Sequence, residues 1–125
     1  ARQGFYRIMA LITSHTLNGT DGTHADGIAV QLIISNAPQT PLIQTHTDEG
    51  GRLYIEIEPA RINSEFFYDL IFKTEPYWAR RNGFVQSQKV NEEIVIRFRM
   101  PNPEGNYHMP IILNPNSYSI WTSGE

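Results

Sequence analysis

Residues 107–121 read YHMPIILNPNSYSIW, and this stretch contains two runs separated by a break. A nearly uncharged apolar run is interrupted by a proline-asparagine break at residues 114–116, and a second aromatic run follows. This pattern predicts two strands joined by a tight turn. Because little in either run alternates towards water, we expect part of this hairpin to meet another copy of the chain. His108 stands where the first of these strands is expected to begin, at the mouth of that surface.

Composition limits the class of protein. A length of 125 residues predicts a single domain over residues 1–125. The chain has no cysteine, which excludes disulfides and thiolate sites, and we expect a cytoplasmic location. A net charge of −3 without a basic block argues against nucleic acid as a partner. Neither a membrane span nor a convincing signal peptide is present, although the missing initial Met leaves open that an N-terminal segment was removed or replaced.

Short segments rich in apolar and β-branched residues alternate with turn residues along the rest of the chain. We expect strands at residues 7–17, 29–36, 42–47, 52–58, 66–73 and 90–100, in addition to the two strands of the closing hairpin. A short helix should follow the fifth strand, with Thr74 as its cap, Glu75 and Pro76 in its first turn and Gly83 at its end. Eight strands and one short helix predict an all-β, two-sheet sandwich.

Alternation within these strands indicates which polar residues lie on the inward face and which on the outward face of the predicted sheets. On a two-residue period, His15 shares a face of the first strand with Thr13 and Leu11. After the glycine turn at residues 50–51, strict alternation directs Leu53, Ile55 and Ile57 inward. Arg52 has the opposite phase, so it should begin that strand on the polar face.

The chain resembles the transthyretin-like proteins, and among them the 5-hydroxyisourate hydrolases. The resemblance rests on Ser-His-x-Leu at residues 14–17, Thr-Asp at 47–48, Gly-Arg at 51–52, and Tyr-His-x-Pro-x-x-Leu-x-Pro at 107–115. It implies two four-stranded sheets packed face to face, a dimer extended through edge strands, and a homotetramer with a central channel. It also implies a cofactor-free hydrolase of purine degradation that opens the ring of a small heterocyclic substrate, 5-hydroxyisourate.

Carried over residue by residue, the resemblance implies a catalytic site formed by His15, Arg52 and His108. Histidine suits the activation of water because an ordinary pKa of about 6.5 leaves it largely neutral at pH 7. The planar fork of arginine suits a carbonyl-rich or anionic ring. Which histidine removes the proton stays open at this point. His24 and His46 are interpreted as structural, and because the four histidines include no close pair, we expect no metal site.

The C-terminal tail departs from the pattern of the hydrolases. They end in Tyr-Arg-Gly-Ser, whereas this chain has Trp-Thr-Ser-Gly at residues 121–124. Tyr118, Trp121, Thr122 and Ser123 are the residues expected to contact substrate. The altered tail leaves two alternatives: an enzyme of the same fold that acts on another small heterocycle as a hydrolase, lyase or isomerase, or a carrier that holds a small ligand in the same channel. The two histidines beside an arginine favour an enzyme.

Overall fold

The computed structural model describes residues 8–81 and 91–123. Within these ranges it contains nine strands, one α-helix and a single turn of 3₁₀ helix at Pro59–Arg61. The helix, α1, is Thr74–Ala79. The strands are β1 (Ala10–Asn18), β2 (Ala29–Ile34), β3 (Ile43–His46), β4 (Arg52–Ile57), β5 (Tyr68–Lys73), β6 (Ile94–Phe98), β7 (Asn106–His108), β8 (Ile111–Asn114) and β9 (Ser117–Ile120).

These strands form two sheets around one shared core. The first sheet has the order β4-β1-β8-β9, with β7 also paired to β1, and the second has the order β3-β2-β5-β6. Side chains from both sheets fill the core, and Tyr77 and Trp78 of α1 are buried with them. The predicted all-β sandwich with one short helix is confirmed. The prediction of one domain over residues 1–125 stays a prediction, since it extends beyond the described residues.

β1 is the strand that organises the first sheet. Its side chains alternate between buried and partly buried along all nine residues, as the two-residue period predicts. The buried set includes Ile12, and also the polar residues Ser14, Thr16 and Asn18. β1 pairs antiparallel with β4 on one side and parallel with β7 and β8 on the other. The partly buried set, which includes His15, therefore lies on the outer face of this sheet.

The closing hairpin differs from the prediction at Pro110. The expected first strand is divided into β7 and β8, and His108 ends β7 instead of beginning a strand. Both pieces keep the same register with β1, since Thr13 pairs with His108 and Thr16 with Ile111. That register brings Pro110 beside His15. Because proline has no N–H to donate, the ladder is interrupted at this point without a change of direction. This break makes the strand count nine.

The helix and the strand ends also differ in detail. Thr74 is the first residue of α1, and Lys73 occupies the cap position without a side-chain capping bond. The Thr74 hydroxyl instead donates to the carbonyl of Glu92, 3.3 Å away, which ties the helix to the segment before β6. The predicted helix end at Gly83 lies outside the described residues, as do the predicted strand ends at residues 7 and 90. No helix in the described parts of the chain is long and apolar enough to cross a membrane.

The glycine turn before β4 gives a prediction about stability. Gly51 has a φ of +74°, and a Cβ there would lie 2.5 Å from the carbonyl oxygen of Thr16. Gly22 has a φ of +77° but open space around it, so it is a matched control. We expect Gly22→Ala to lower the free energy of unfolding by about 1 kcal/mol through the backbone alone. Gly51→Ala should cost roughly 3 kcal/mol or more, because the clash with β1 adds to the backbone cost.

Urea denaturation of both variants measures this difference. Equal losses of stability in the two variants would contradict the close approach of the glycine turn to β1.

Candidate active site

The candidate site lies on the outer face of the first sheet, at the centre of β1. His15 pairs directly with Arg52, the first residue of β4. Side chains at directly opposed positions of an antiparallel pair have Cβ atoms about 4.5–5.5 Å apart. On the other side of β1, Thr13 pairs with His108 of β7. The structure therefore brings together the three residues that the sequence singled out, with His15 between the other two.

Arg52 is held by the turn that precedes it. The Asp48 carboxylate accepts hydrogen bonds from the backbone N–H groups of Gly50 and Arg52, at 2.9 and 2.8 Å. The bond from the Arg52 N–H is the main cause that lowers the pKa of Asp48, and the charges of Arg52 and His15 lower it further. An ionised carboxylate thus fixes the turn from which the guanidinium extends.

His15 is the most perturbed of the site residues. Burial lowers its pKa, and the positive charge of Arg52 lowers it further, while a backbone hydrogen bond at Gly50 acts in the opposite direction. The neighbouring His24 and His108 add smaller effects that also lower the pKa. Within the described residues, the Nε2 atom of His15 is buried and has no hydrogen-bond partner. The lowered pKa favours the neutral form of the ring, and no group in the described part of the chain engages its Nε2 atom.

His108 is oriented by its neighbours on both sides. Its Nδ1 atom lies 2.7 Å from the Thr13 hydroxyl, so one ring nitrogen is engaged and the ring plane is fixed. Its backbone exchanges two hydrogen bonds with Ser123, at 3.0 and 2.9 Å. The tail is therefore joined to the strand that carries His108. Thr13 was not predicted to contact a site residue, although alternation had assigned it to the same face as His15.

The tail continues the register of the closing hairpin. Ile111 pairs with Ile120, the Trp121 N–H donates to the Pro110 carbonyl, and His108 pairs with Ser123. Residues that pair directly across an antiparallel ladder point to the same face. Trp121 and Ser123 therefore share the outer face with His108. Tyr118 pairs with the buried Leu113, so Tyr118 and, by the same alternation, Thr122 point to the opposite face.

A residue that the sequence analysis had interpreted as structural lies at the site. The ring of His24 contacts that of His15 edge-on, with centroids 4.9 Å apart and an interplanar angle of 74°. His24 belongs to a loop in sequence, and its proximity to β1 follows from an isolated bridge with Leu17 that alternation alone does not reveal. Despite three nearby imidazoles, no group of His, Asp or Glu in residues 8–81 and 91–123 has the arrangement of a metal site.

The sequence is similar to those of proteins named as enzymes. A relative from Pseudomonas aeruginosa, named 5-hydroxyisourate hydrolase, is 27% identical over 117 residues, which cover 90% of each protein. Relatives from Halalkalibacterium halodurans and Deinococcus radiodurans carry the same name.

The fold is similar to that of both (S)-allantoin synthase and transthyretin. The structure of (S)-allantoin synthase matches 94% of this chain with a TM-score of 0.77 and 23% identity, and this chain spans 45% of that longer protein. Sea bream transthyretin in complex with thyroxine matches 91% of this chain, and 95% of its own, with a TM-score of 0.76 and 20% identity. The model of the HIUase/Transthyretin family matches residues 12–123. The chain therefore belongs to the HIUase/Transthyretin family.

Proposed function

We propose that this protein is a 5-hydroxyisourate hydrolase that uses His15 as the base that activates water. One observation carries the proposal: His15 has a lowered pKa and a buried, unpartnered Nε2 within the described residues, and it lies between Arg52 and His108. A general base must be neutral at the working pH and must have a free lone pair. The names of the related enzymes support the choice of substrate.

The reaction follows from the chemistry of a cyclic amide. His15 removes a proton from water as the water oxygen bonds to the ring carbonyl carbon. The carbonyl oxygen becomes an oxyanion, and the intermediate collapses with cleavage of the ring C–N bond. The proton held by His15 then passes to the departing nitrogen, so that one water is consumed and the base is restored. Positioned proton transfer of this kind contributes about 10²–10⁴-fold to the rate.

Arg52 and His108 are proposed to stabilise the oxyanion. The guanidinium donates two parallel hydrogen bonds and stays charged throughout. For His108, we assign the Thr13 hydroxyl as donor to Nδ1, over the 2.7 Å that separates them. The neutral ring then carries its proton on Nε2 and acts as a second donor to the substrate. This division of roles leaves His15 as the acceptor of the proton from water.

The tail supplies the proposed substrate contacts on this face. Trp121 and Ser123 share the outer face with His108, and Trp121 is 48% exposed in the single chain. An aromatic surface of this kind suits stacking on a flat heterocycle, and the Ser123 hydroxyl adds a polar group beside His108. Tyr118 and Thr122 were also expected to contact substrate. Their opposite direction gives that expectation no support, so we propose Trp121 and Ser123 as the contacts.

We also propose that the protein is a homotetramer in which this face is covered by another copy. Ile112, Tyr54 and Trp121 are large apolar or aromatic side chains that all lie exposed on the outer face of the first sheet. Several large apolar or aromatic side chains exposed on one face are typical of a protein interface. Covering it would exclude water around His15 and strengthen every charge interaction in the site.

The expected cytoplasmic location stays a prediction.

The first prediction concerns the two histidines. His15→Asn should reduce the accelerated loss of 5-hydroxyisourate absorbance by about 10²–10⁴-fold, because it removes the group that transfers the proton. His108→Asn should reduce it by about 10²–10³-fold, because it removes a hydrogen-bond donor to the oxyanion. His46→Asn is the matched control, since His46 is an exposed residue of β3 in the other sheet. The far-ultraviolet circular dichroism of all three variants should match the parent protein. Unreduced turnover in His15→Asn would contradict the role of this residue as the base.

A second prediction concerns the pH dependence of kcat/KM. A base must be deprotonated, so activity should fall as the pH drops through the pKa of His15. Because burial and the Arg52 charge lower that pKa, the midpoint of this acid limb should lie below 6.5. Arg52→Gln removes the charge and should move the midpoint to higher pH. Arg52→Lys keeps the charge, so its midpoint should stay in place while kcat/KM falls with the loss of the planar fork.

Two results would contradict this assignment. One is an acid limb of the parent protein at or above pH 6.5. The other is an identical limb in the parent protein and in Arg52→Gln.

A third prediction concerns assembly. Light scattering coupled to gel filtration should give four times the monomer mass of 14.3 kDa. Ile112→Lys should reduce the mass, because it introduces a charge into the proposed interface, and turnover should fall with it. Val95→Lys is the control, since Val95 is similarly exposed on the other sheet. A monomeric parent protein with full activity would contradict the need for a covered site.

A further inference from the structure

We propose that His24 is a positioning residue for His15: its ring fixes the orientation of the base, and a proton on His24 disfavours a proton on His15. The proposal rests on the proposed function for its effect on turnover, but the coupling between the two rings is a property of the protein without substrate. His24 contacts neither a substrate nor a reacting atom in this account. It acts through the imidazole of His15.

The backbone around His24 is fixed to β1. The Asn18 N–H donates to the Thr23 carbonyl at 2.8 Å, and the Ala25 N–H donates to the Thr16 carbonyl at 2.9 Å. β4 begins at Arg52, which lies opposite His15 on β1. Beyond that point these bonds pair residues 23–25 with β1 instead, so that His24, opposite Leu17, takes the next outward-facing position after Arg52. Leu17, which pairs with His24, belongs to the same outer face as His15. The imidazole of His24 is therefore directed onto the site by main-chain pairing.

The loop that carries His24 is also attached to the helix side of the molecule. Arg81 forms an ion pair with Asp21, 2.7 Å long, and Arg80 donates to the Asp26 carbonyl at 3.2 Å. Exposed pairs of this kind contribute little stability individually. Along the chain, the contacts at Asp21 and Asp26 lie on either side of His24. The backbone bonds from residues 23 and 25 to β1 lie between these two contacts. The position of the ring thus has support from two separate elements.

The contact between the rings restricts His15. The edge of one imidazole meets the face of the other at 4.9 Å and 74°, the geometry that aromatic rings prefer. Arg52 occupies the directly opposed position on the same side of β1. Rotation of the His15 ring would therefore disrupt its contact with His24. A base whose ring is held in this way keeps Nε2 directed at one point, which is a condition for efficient proton transfer.

The charges around His24 come from three elements. His15 faces it from β1, and Arg52 and Asp48 face it from the glycine turn. A Cβ placed on Gly50 would lie 3.9 Å from the Nδ1 atom of His24 and 3.6 Å from the Oδ1 atom of Asp48, so both groups lie beside the same turn residue. Its own loop adds Asp21, which is paired with Arg81, and the exposed Asp26. Two imidazoles in contact do not take up protons independently, because the first proton repels the second. After burial and Arg52, His24 is among the groups that lower the pKa of His15.

Two substitutions separate the two parts of the proposal. His24→Phe keeps an aromatic edge against His15 but removes the charge, whereas His24→Ala removes both. The histidine ring signals of uniformly labelled protein, followed by NMR from pH 4 to 8 and assigned with His15→Asn, report the titration of His15 directly. We expect the His15 midpoint to rise in both variants. We expect kcat to stay within about threefold in His24→Phe and to fall about tenfold in His24→Ala, because only the latter frees the ring.

His46→Ala is the control for loss of an exposed histidine, and it should change neither the His15 midpoint nor kcat. An unchanged His15 midpoint in His24→Phe would overturn the electrostatic part of the proposal, and an unchanged kcat in His24→Ala would overturn the positioning part. If His24→Ala does not fold, His24→Asn takes its place, since it removes the ring but keeps a polar side chain. If the midpoint rises in His24→Phe but the parent protein does not accelerate loss of 5-hydroxyisourate, the proposed function fails and the coupling stands.

Discussion

The whole site depends on the register between β1 and β4. Ile12 pairs with Ile55 in the core, and His15 pairs with Arg52 on the outer face. Because side chains alternate strictly in a strand, a slip of one residue in β1 would bury His15 and expose Ile12. The burial of Ile12, Leu53 and Ile55 therefore holds the register that brings the imidazole and the guanidinium together. The hydrophobic core and the candidate site are specified by the same constraint.

A second constraint acts at the end of this ladder. The Thr16 hydroxyl is fully buried and lies 2.7 Å from the Ala25 carbonyl and 3.0 Å from the Gly51 carbonyl. A buried hydroxyl without partners would be costly, so these contacts hold the two turns against β1. One turn leads into Arg52, and the other carries His24. Thr16 on the inner face of β1 thus holds the two turns that carry Arg52 and His24.

The sequence predicted those parts of the fold and site that depend on local period. Alternation assigned His15 and Arg52 to their faces, and it also assigned Thr13 correctly, although its hydrogen bond to His108 depends on the pairing of distant strands. The break at Pro110 was missed, because an apolar run of that length is compatible with one strand. The contact between His24 and His15 was missed for another reason. A loop histidine reaches β1 only through backbone bonds to residues that a two-residue period does not relate to it.

The fold does not determine the function, since the same sandwich is found in an enzyme and in a thyroxine-bound transthyretin. In the proposed function, the distinction comes from His15, whose pKa is lowered and which lies between Arg52 and His108. The most direct test of this account is the reaction of freshly generated 5-hydroxyisourate in ¹⁸O-labelled water, followed by ultraviolet decay and by the mass of the product. We expect loss of the substrate that is faster than in buffer alone and a product that contains one oxygen from water. No acceleration, or an accelerated reaction whose product contains no labelled oxygen, would contradict it.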